Sequence, residues 1–301
     1  MRSSAALAPG SSIDIAAQEE AMARSMWRIT LQRLKRSKTA MIGLTIVILL
    51  LLVALLADVV APYSPTETTP ASISPPTWQN LMGTDLLGRD VLSRVIHGSR
   101  VSVYVGVVSI LFAIFIGIPL GTVAGFYGGH VDQVIMRLMD IILAFPIFLL
   151  AIVIMVILEP NTTNVVLALA IVRIPILARI VRGSVLSVKE TEYIEAVKAL
   201  SLSQIRVLGR HVLPNCLAPI IVTSTLNIGN AIIIEASLSF LGLGTQPPTP
   251  TWGWDLKQNL TLIELNPWIT IFPGLAILVT VLAFNLLGDG LRDALDPRLK
   301  A

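Results

Sequence analysis

The chain is short of charge. Asp, Glu, Lys and Arg make up 14% of its 301 residues, against about 25% in soluble globular domains. Hydrophobic residues, at 54%, take their place. A single cysteine, Cys216, excludes an internal disulfide framework and reads as a small apolar core residue. His97, His130 and His211 are scattered, so no metal-ligand spacing occurs and no metal site is expected. No Gly-x-x-x-x-Gly-Lys-Ser/Thr loop is present, so this chain does not hold ATP in the P-loop way. His-Glu-x-x-His and Gly-x-Ser-x-Gly are missing too, and the acidic residues are scattered singly, which leaves no converging catalytic groups. The net charge of +3 is small, and no nucleic-acid partner is expected.

What is there is apolar runs long enough to cross a bilayer, about 20 residues each. Six are expected: residues 40–61, 101–125, 134–158, 163–181, 216–241 and 268–288. Alternating ten-residue strands are missing, so the fold class is an all-α membrane protein with six transmembrane helices. Residues 1–39 form a polar tail without the short apolar core of a secretory signal, and residues 290–301 a second tail. Between them lie a first span with its loop, 40–100, and a core of 101–289. Lys and Arg number sixteen on the side of the two tails and four on the other. The positive-inside rule therefore puts both termini in the cytoplasm.

On the outer side, Pro62–Arg100 is rich in proline at first. It ends in a predicted amphipathic helix, with Val91, Leu92, Val95 and Ile96 on one face and Arg89, Asp90, Ser93, Arg94 and His97 on the other. Two placements are open: in the membrane interface, or as a cap on the bundle. The second outer loop, 242–267, carries Pro247, Pro248, Trp252 and Trp254 and is expected at the membrane surface.

Inside the membrane, Gly117, Gly121 and Gly125 make a bare stripe, for close packing or for sliding. Span five, with Thr223, Ser224, Thr225, Asn227, Asn230 and Glu235, is too polar to face lipid and reads as the wall of a polar route. Interhelical hydrogen bonding is the plainer reading. Arg173 and Asp140 are candidate partners.

Between spans four and five sits a polar island, residues 187–215. Ile194, Ala196, Val197 and Leu200 fall at helical spacing behind the acidic start Glu190, Glu192, Glu195. Ser201 with Gln204 fits a capping box for a second helix, with Ile205, Leu208 and Val212 along one side and Pro214 at its end. A small apolar patch of this kind on the inner face is either a docking knob or an elbow packed on its own spans.

Glu195-Ala196-Val197, Ser201 and Leu213-Pro214 resemble the "EAA" loop of ABC importer permeases, with Val197 and Ser201 in place of its second Ala and its Gly. Gly83-Thr84-Asp85-Leu86-Leu87-Gly88-Arg89-Asp90, Leu238–Trp252 and Leu282–Pro297 resemble the C-type permeases for dipeptides, oligopeptides and nickel. The resemblance implies a type I importer fold in the bacterial inner membrane. It also implies a homologous second permease, two cytoplasmic ATPase subunits that bind ATP and Mg, and an outer solute-binding protein. Glu195, Ala196, Val197, Ala199, Leu200 and Ser201 would then couple to the ATPase. Asn227, Asn230 and Glu235 would line the route. Arg89, Asp90, Arg94, Pro247, Pro248 and Trp252 would gate the outer side or touch the binding protein. The competing class is an ion-gradient transporter using Glu235, Asp140 or Arg173.

Overall fold

The computed structural model describes residues 31–199 and 203–295. Among the described residues, the architecture is carried by α1 Lys38–Leu55, α2 Ala57–Val60, α3 Val91–Tyr127, α4 Gly129–Leu143, α5 Ile147–Leu158, α6 Thr162–Lys189, α7 Glu192–Ala199, α8 Leu217–Leu241, α9 Trp252–Asn259 and α10 Trp268–Leu295. Helical turns at Gln204–Arg206, Val207–Val212 (π) and Leu213–Cys216 (3-10) lead straight into α8. Among the described residues, five helices are long and apolar enough to cross a membrane, and α4 with α5 makes a sixth if the bent pair counts as one.

Three expected spans change shape. The first stops at Leu55 and restarts as α2. The outer amphipathic helix and the second span are one 37-residue helix, α3, whose first turns bury Val91, Ser93, Arg94 and Ile96. Asp90 caps it, accepting from Ser93 N at 2.8 Å. The third span breaks: α4 and α5 meet at 85°. Pro146 explains the break, since it bars its predecessor from helical angles and supplies no N–H to the turn before it. Pro119, Pro175 and Pro273 sit inside helices without breaking them at this scale. Pro214 likewise does not end the helix before span five.

Small residues set the seams. At Gly117, Gly121 and Gly125 of α3 an added methyl would meet the backbone of α6: Ile174 O at 3.2 Å, the Ala178 carbonyl, and Arg182 O at 2.9 Å. The stripe is tight packing. Gly43 of α1 is as close to α10, where a methyl would lie 2.8 Å from Ala283 O. Gly106 of α3 leaves room for Ile232 of α8. These approaches make two packed sets, α3 with α6 and α1 with α8 and α10, joined where α8 crosses the first half of α3.

Candidate functional site

One end of the bundle carries α7. Ile194 and Val197 turn inward, at 0% and 7% exposure, into a core of Phe126, Val181, Val185, Val207, Val212, Cys216 and Ile220. Val197 is therefore not part of an exposed patch: a β-branched side chain at that register finds an apolar cluster from three helices behind it. Glu195 faces solvent. Across the bend, Ile205 is exposed, while Val207 and His211 join Val212 in facing inward. The π turn shifts the register and undoes the expected Ile205–Leu208–Val212 face. The Tyr193 hydroxyl lies 2.5 Å from His211 Nδ1, tying α7 to the root of α8. Lys189 donates to the Phe126 carbonyl oxygen at 2.6 Å. Leu200 and Ser201, with the cap expected of Ser201, lie outside the described residues, as do the side chains of Ala196 and Ala199. Ser203 occupies the position before the next helical turn.

Along α8 the polar residues divide between two faces. Thr223, Asn230 and Ser237 repeat every seven residues. Thr223 lines a surface cleft of about 390 Å³ beside Leu226 and Arg292, and Ser237 another of about 300 Å³ beside Phe148 and Phe240. Asn230 is exposed between them, its amide bonded back to Leu226 O at 3.3 Å. Asn227 and Glu235 are buried instead, at 6% and 0% exposure. Asn227 accepts from Arg173 Nη1 of α6 at 2.9 Å. Glu235 is fully enclosed and accepts from Ser102 Oγ of α3 at 3.2 Å and Ser239 Oγ at 2.8 Å. It faces α3 and no open surface. Of the two candidate partners for span five, Arg173 bonds it, at Asn227, while Asp140 pairs with Arg179 at 2.6 Å; Asp132 holds Arg182 through both oxygens at 2.5 and 2.6 Å.

The other end is closed by a buried ionic network. Asp85 accepts from Leu87 N and Arg89 N at 2.9 Å and from Arg89 Nε at 2.7 Å. Arg89 Nη2 reaches Gln258 of α9 at 2.9 Å. Arg94 donates through Nε to Asp255 of α9 at 3.0 Å, through Nη2 to the same oxygen, and through Nη1 to Pro65 O at 3.1 Å. Burial pushes the Asp255 carboxyl up, and the Arg94 guanidinium pulls it down. Asn80 bonds Asp90 at 2.8 Å. Trp252 is 1% exposed, donates to Val95 O at 2.9 Å, and fits because Gly98 has no side chain.

Residues 117–301 match the family described as binding-protein-dependent transport system inner membrane component. The chain belongs to that family. Residues 25–79 match the N-terminal transmembrane domain of oligopeptide transport permease C. Among relatives of this permease, a dipeptide transport system permease protein of Alkalihalophilus pseudofirmus is 44% identical over 285 residues, 94% of each chain. A di/tripeptide transport system permease protein of Pseudomonas aeruginosa is 46% identical, over 89% of this chain and 91% of the other. A glutathione transport system permease protein of Escherichia coli is 44% identical over 92% of both. In structure, the permease resembles a chain of the MetNI methionine ABC transporter in an inward-facing conformation. The TM-score is 0.56 at 18% identity, over 67% of this chain and 96% of that one. Membership of this family, with the apolar helices, makes it a multi-pass inner-membrane protein.

Arg89, Asp90, Arg94 and Trp252 are buried at the permease's loop end: Arg89, Arg94 and Trp252 join the two loops, and Asp90 holds Asn80 and caps α3. Of the two roles expected of these four, outer gate or contact with a binding protein, their burial disfavours direct contact: each arginine is held opposite Asp85 or Asp255 of its own chain. Pro247 and Pro248 are exposed. Asp255, Gln258 and Ser237 escaped sequence reading. The unmatched arginines of the first loop were the signal for Asp255, and the seven-residue spacing from Asn230 was the signal for Ser237.

Proposed function

We propose that this permease forms half of the pathway of an ATP-driven importer for dipeptides or short oligopeptides, beside a homologous second permease. Two ATPase subunits holding ATP and Mg engage the α7 end, and a solute-binding protein delivers solute at the loop end. The α7 end faces the cytoplasm, in line with the excess of Lys and Arg on that side. The observation that carries this reading is the elbow itself. α7 presents Glu195 to solvent while Ile194, Val197 and Tyr193 lock it to the root of α8, the helix with the polar stripe. A push on α7 is thus delivered to α8. Glu195, Ala196, Val197, Ala199, Leu200 and Ser201 act in coupling, Val197 from within the elbow. Thr223, Asn230 and Ser237 line the route, and Asn227 supports it from behind. Glu235 fixes α8 to α3 and does not meet solute. Pro247 and Pro248 are the exposed candidates for contact with the binding protein, over the rigid network of Arg89, Asp90, Arg94 and Trp252.

The test is reconstitution in liposomes with and without the ATPase subunits. Uptake is expected with ATP and the ATPases alone; uptake driven by an ion gradient without them would sink the reading. Glu195→Lys reverses a charge on the exposed face of α7. It is expected to weaken ATPase association in pull-down while membrane insertion stays normal.

A further inference from the structure

Arginines of this chain meet carboxylates at several places: Arg89 on Asp85, Arg94 on Asp255, Arg100 on Asp58, Arg179 on Asp140 and Arg182 on Asp132. Arg173 does not. It sits midway along α6 at 6% exposure, and its one bond is to the neutral carboxamide of Asn227, itself 6% exposed. Its Nε has no partner among the described residues. Neither does the buried hydroxyl of Ser224, three residues before Asn227 and hence one turn away on α8. A guanidinium at that depth is costly, and such groups normally pair with an opposite charge or serve what passes through. A carboxamide orients the guanidinium but cancels none of its charge. What the set lacks is an anion with two acceptor oxygens in a plane, the shape the arginine fork fits.

The α6–α8 seam is mostly apolar around this set, with Leu169 and Val172 of α6 and Ala231 of α8 in one cluster, and it holds few hydrogen bonds. α6 lies on α3 with no room for a methyl at Gly117, Gly121 or Gly125. α8 is fastened to α3 at Glu235 and Ile232, nearer the loop end. At the level of Arg173 the hydrogen bond between α6 and α8 is the one to Asn227, and exposed Asn230 lies on the next turn. We propose that Arg173 and Asn227 form a mid-membrane site that takes the carboxylate of the transported solute when α6 and α8 separate, with Ser224 as a further donor. This rests on the peptide-import reading above and assigns the site at which that solute is held.

The experiment uses the assembled transporter in proteoliposomes with its binding protein. It is offered an equimolar mixture of natural dipeptides and their C-terminal amides, and uptake is read by mass spectrometry. Arg173→Gln is expected to cut uptake of the free-carboxylate peptides about tenfold or more, the scale of a lost charge-assisted hydrogen bond. Permease–permease association and basal ATP hydrolysis should be unchanged. Arg173→Lys keeps the charge and should retain part of the uptake, which guards against a folding defect. Asn227→Asp should fill the site from within and block uptake while raising thermal stability. Uptake by Arg173→Gln within twofold of wild type would overturn the proposal. So would loss of permease–permease association in that variant, which would assign the missing carboxylate to the second permease. Absence of all peptide uptake by the wild type would instead overturn the import reading on which the proposal rests.

Discussion

Asp255 shows what one side chain does here. It lies 161 residues from Arg94 and is buried with it. Breaking such a pair by removing one partner leaves a charge without water or counter-ion, at a cost of about 3–5 kcal/mol. Asp255→Ala is therefore expected to lower the thermal midpoint of the purified complex sharply. The double variant Asp255→Leu with Arg94→Met should recover much of the loss, because a buried pair replaced by apolar groups costs little. Equal destabilisation in the single and double variants would mean the network is not the cause. On α8, Asn230→Leu leaves an exposed position apolar and so should assemble normally. It is expected to slow uptake about fivefold, the equivalent of one net hydrogen bond of ~1 kcal/mol. Uptake at the wild-type rate would remove Asn230 from the route wall. That the polar residues of α8 would divide between a stripe and a buried set was not legible in sequence. Asn227 and Asn230 are the same residue type three positions apart. Only the neighbour behind each, Arg173 for one and open surface for the other, separates them.

Among elements, α3 and α6 are the most closely matched pair. The glycine spacing on α3 already pointed to a bare face, and the structure supplies the partner: the turns of α6 around Ile174, Ala178 and Arg182. A methyl at Gly121 would overlap the Ala178 carbonyl oxygen, which belongs to backbone and cannot rotate away. Gly121→Ala is expected to cost about 1–3 kcal/mol, as overpacking in a filled seam does, read as a lower thermal midpoint and weaker cysteine cross-linking between α3 and α6. Gly183, a helical position with open space around it, is the control: Ala there should stabilise, by about 0.5–1 kcal/mol. Sequence reading found every apolar run but misjudged where several helices begin and end. Hydropathy reports where lipid could be, whereas a helix runs on until a cap or a proline stops it. α3 therefore starts at its Asp90 cap, ten residues before the apolar run, and the third run breaks at Pro146 in the midst of apolar sequence.

At the scale of the whole molecule, the elbow and the network sit at opposite ends and α8 connects them. Its root is bound to α7 through Tyr193 and His211, its midpoint to α6 through Asn227, and its far half to α3 through Glu235. α9 then packs on α3 through Trp252 and is joined to the first loop through Asp255 and Gln258. α7 is thus joined to the root of α8 through Tyr193 and His211, and to α6 and α3 through Val181, Val185 and Phe126. Tyr193→Phe removes the hydroxyl that links α7 to His211 and keeps the ring. ATPase association is expected to persist while uptake per ATP hydrolysed falls. An unchanged ratio would show that force enters by another route.

Composition and local pattern alone determined that this is a helical membrane protein, where its apolar runs lie, and that an island with the EAA-like pattern interrupts them. They also placed the chain in a permease family, whose match covers residues 117–301. Those properties are local: a run of apolar residues or a motif reads the same whatever packs against it. Tertiary structure decided which side of each polar segment is hidden. It turned the charged face beginning at Arg89 inward, put Val197 in the elbow's core, enclosed Glu235, and left Arg173 facing a carboxamide. Each outcome depends on a partner far along the chain, and a charge or a β-branched side chain carries no mark of its partner until the helices meet.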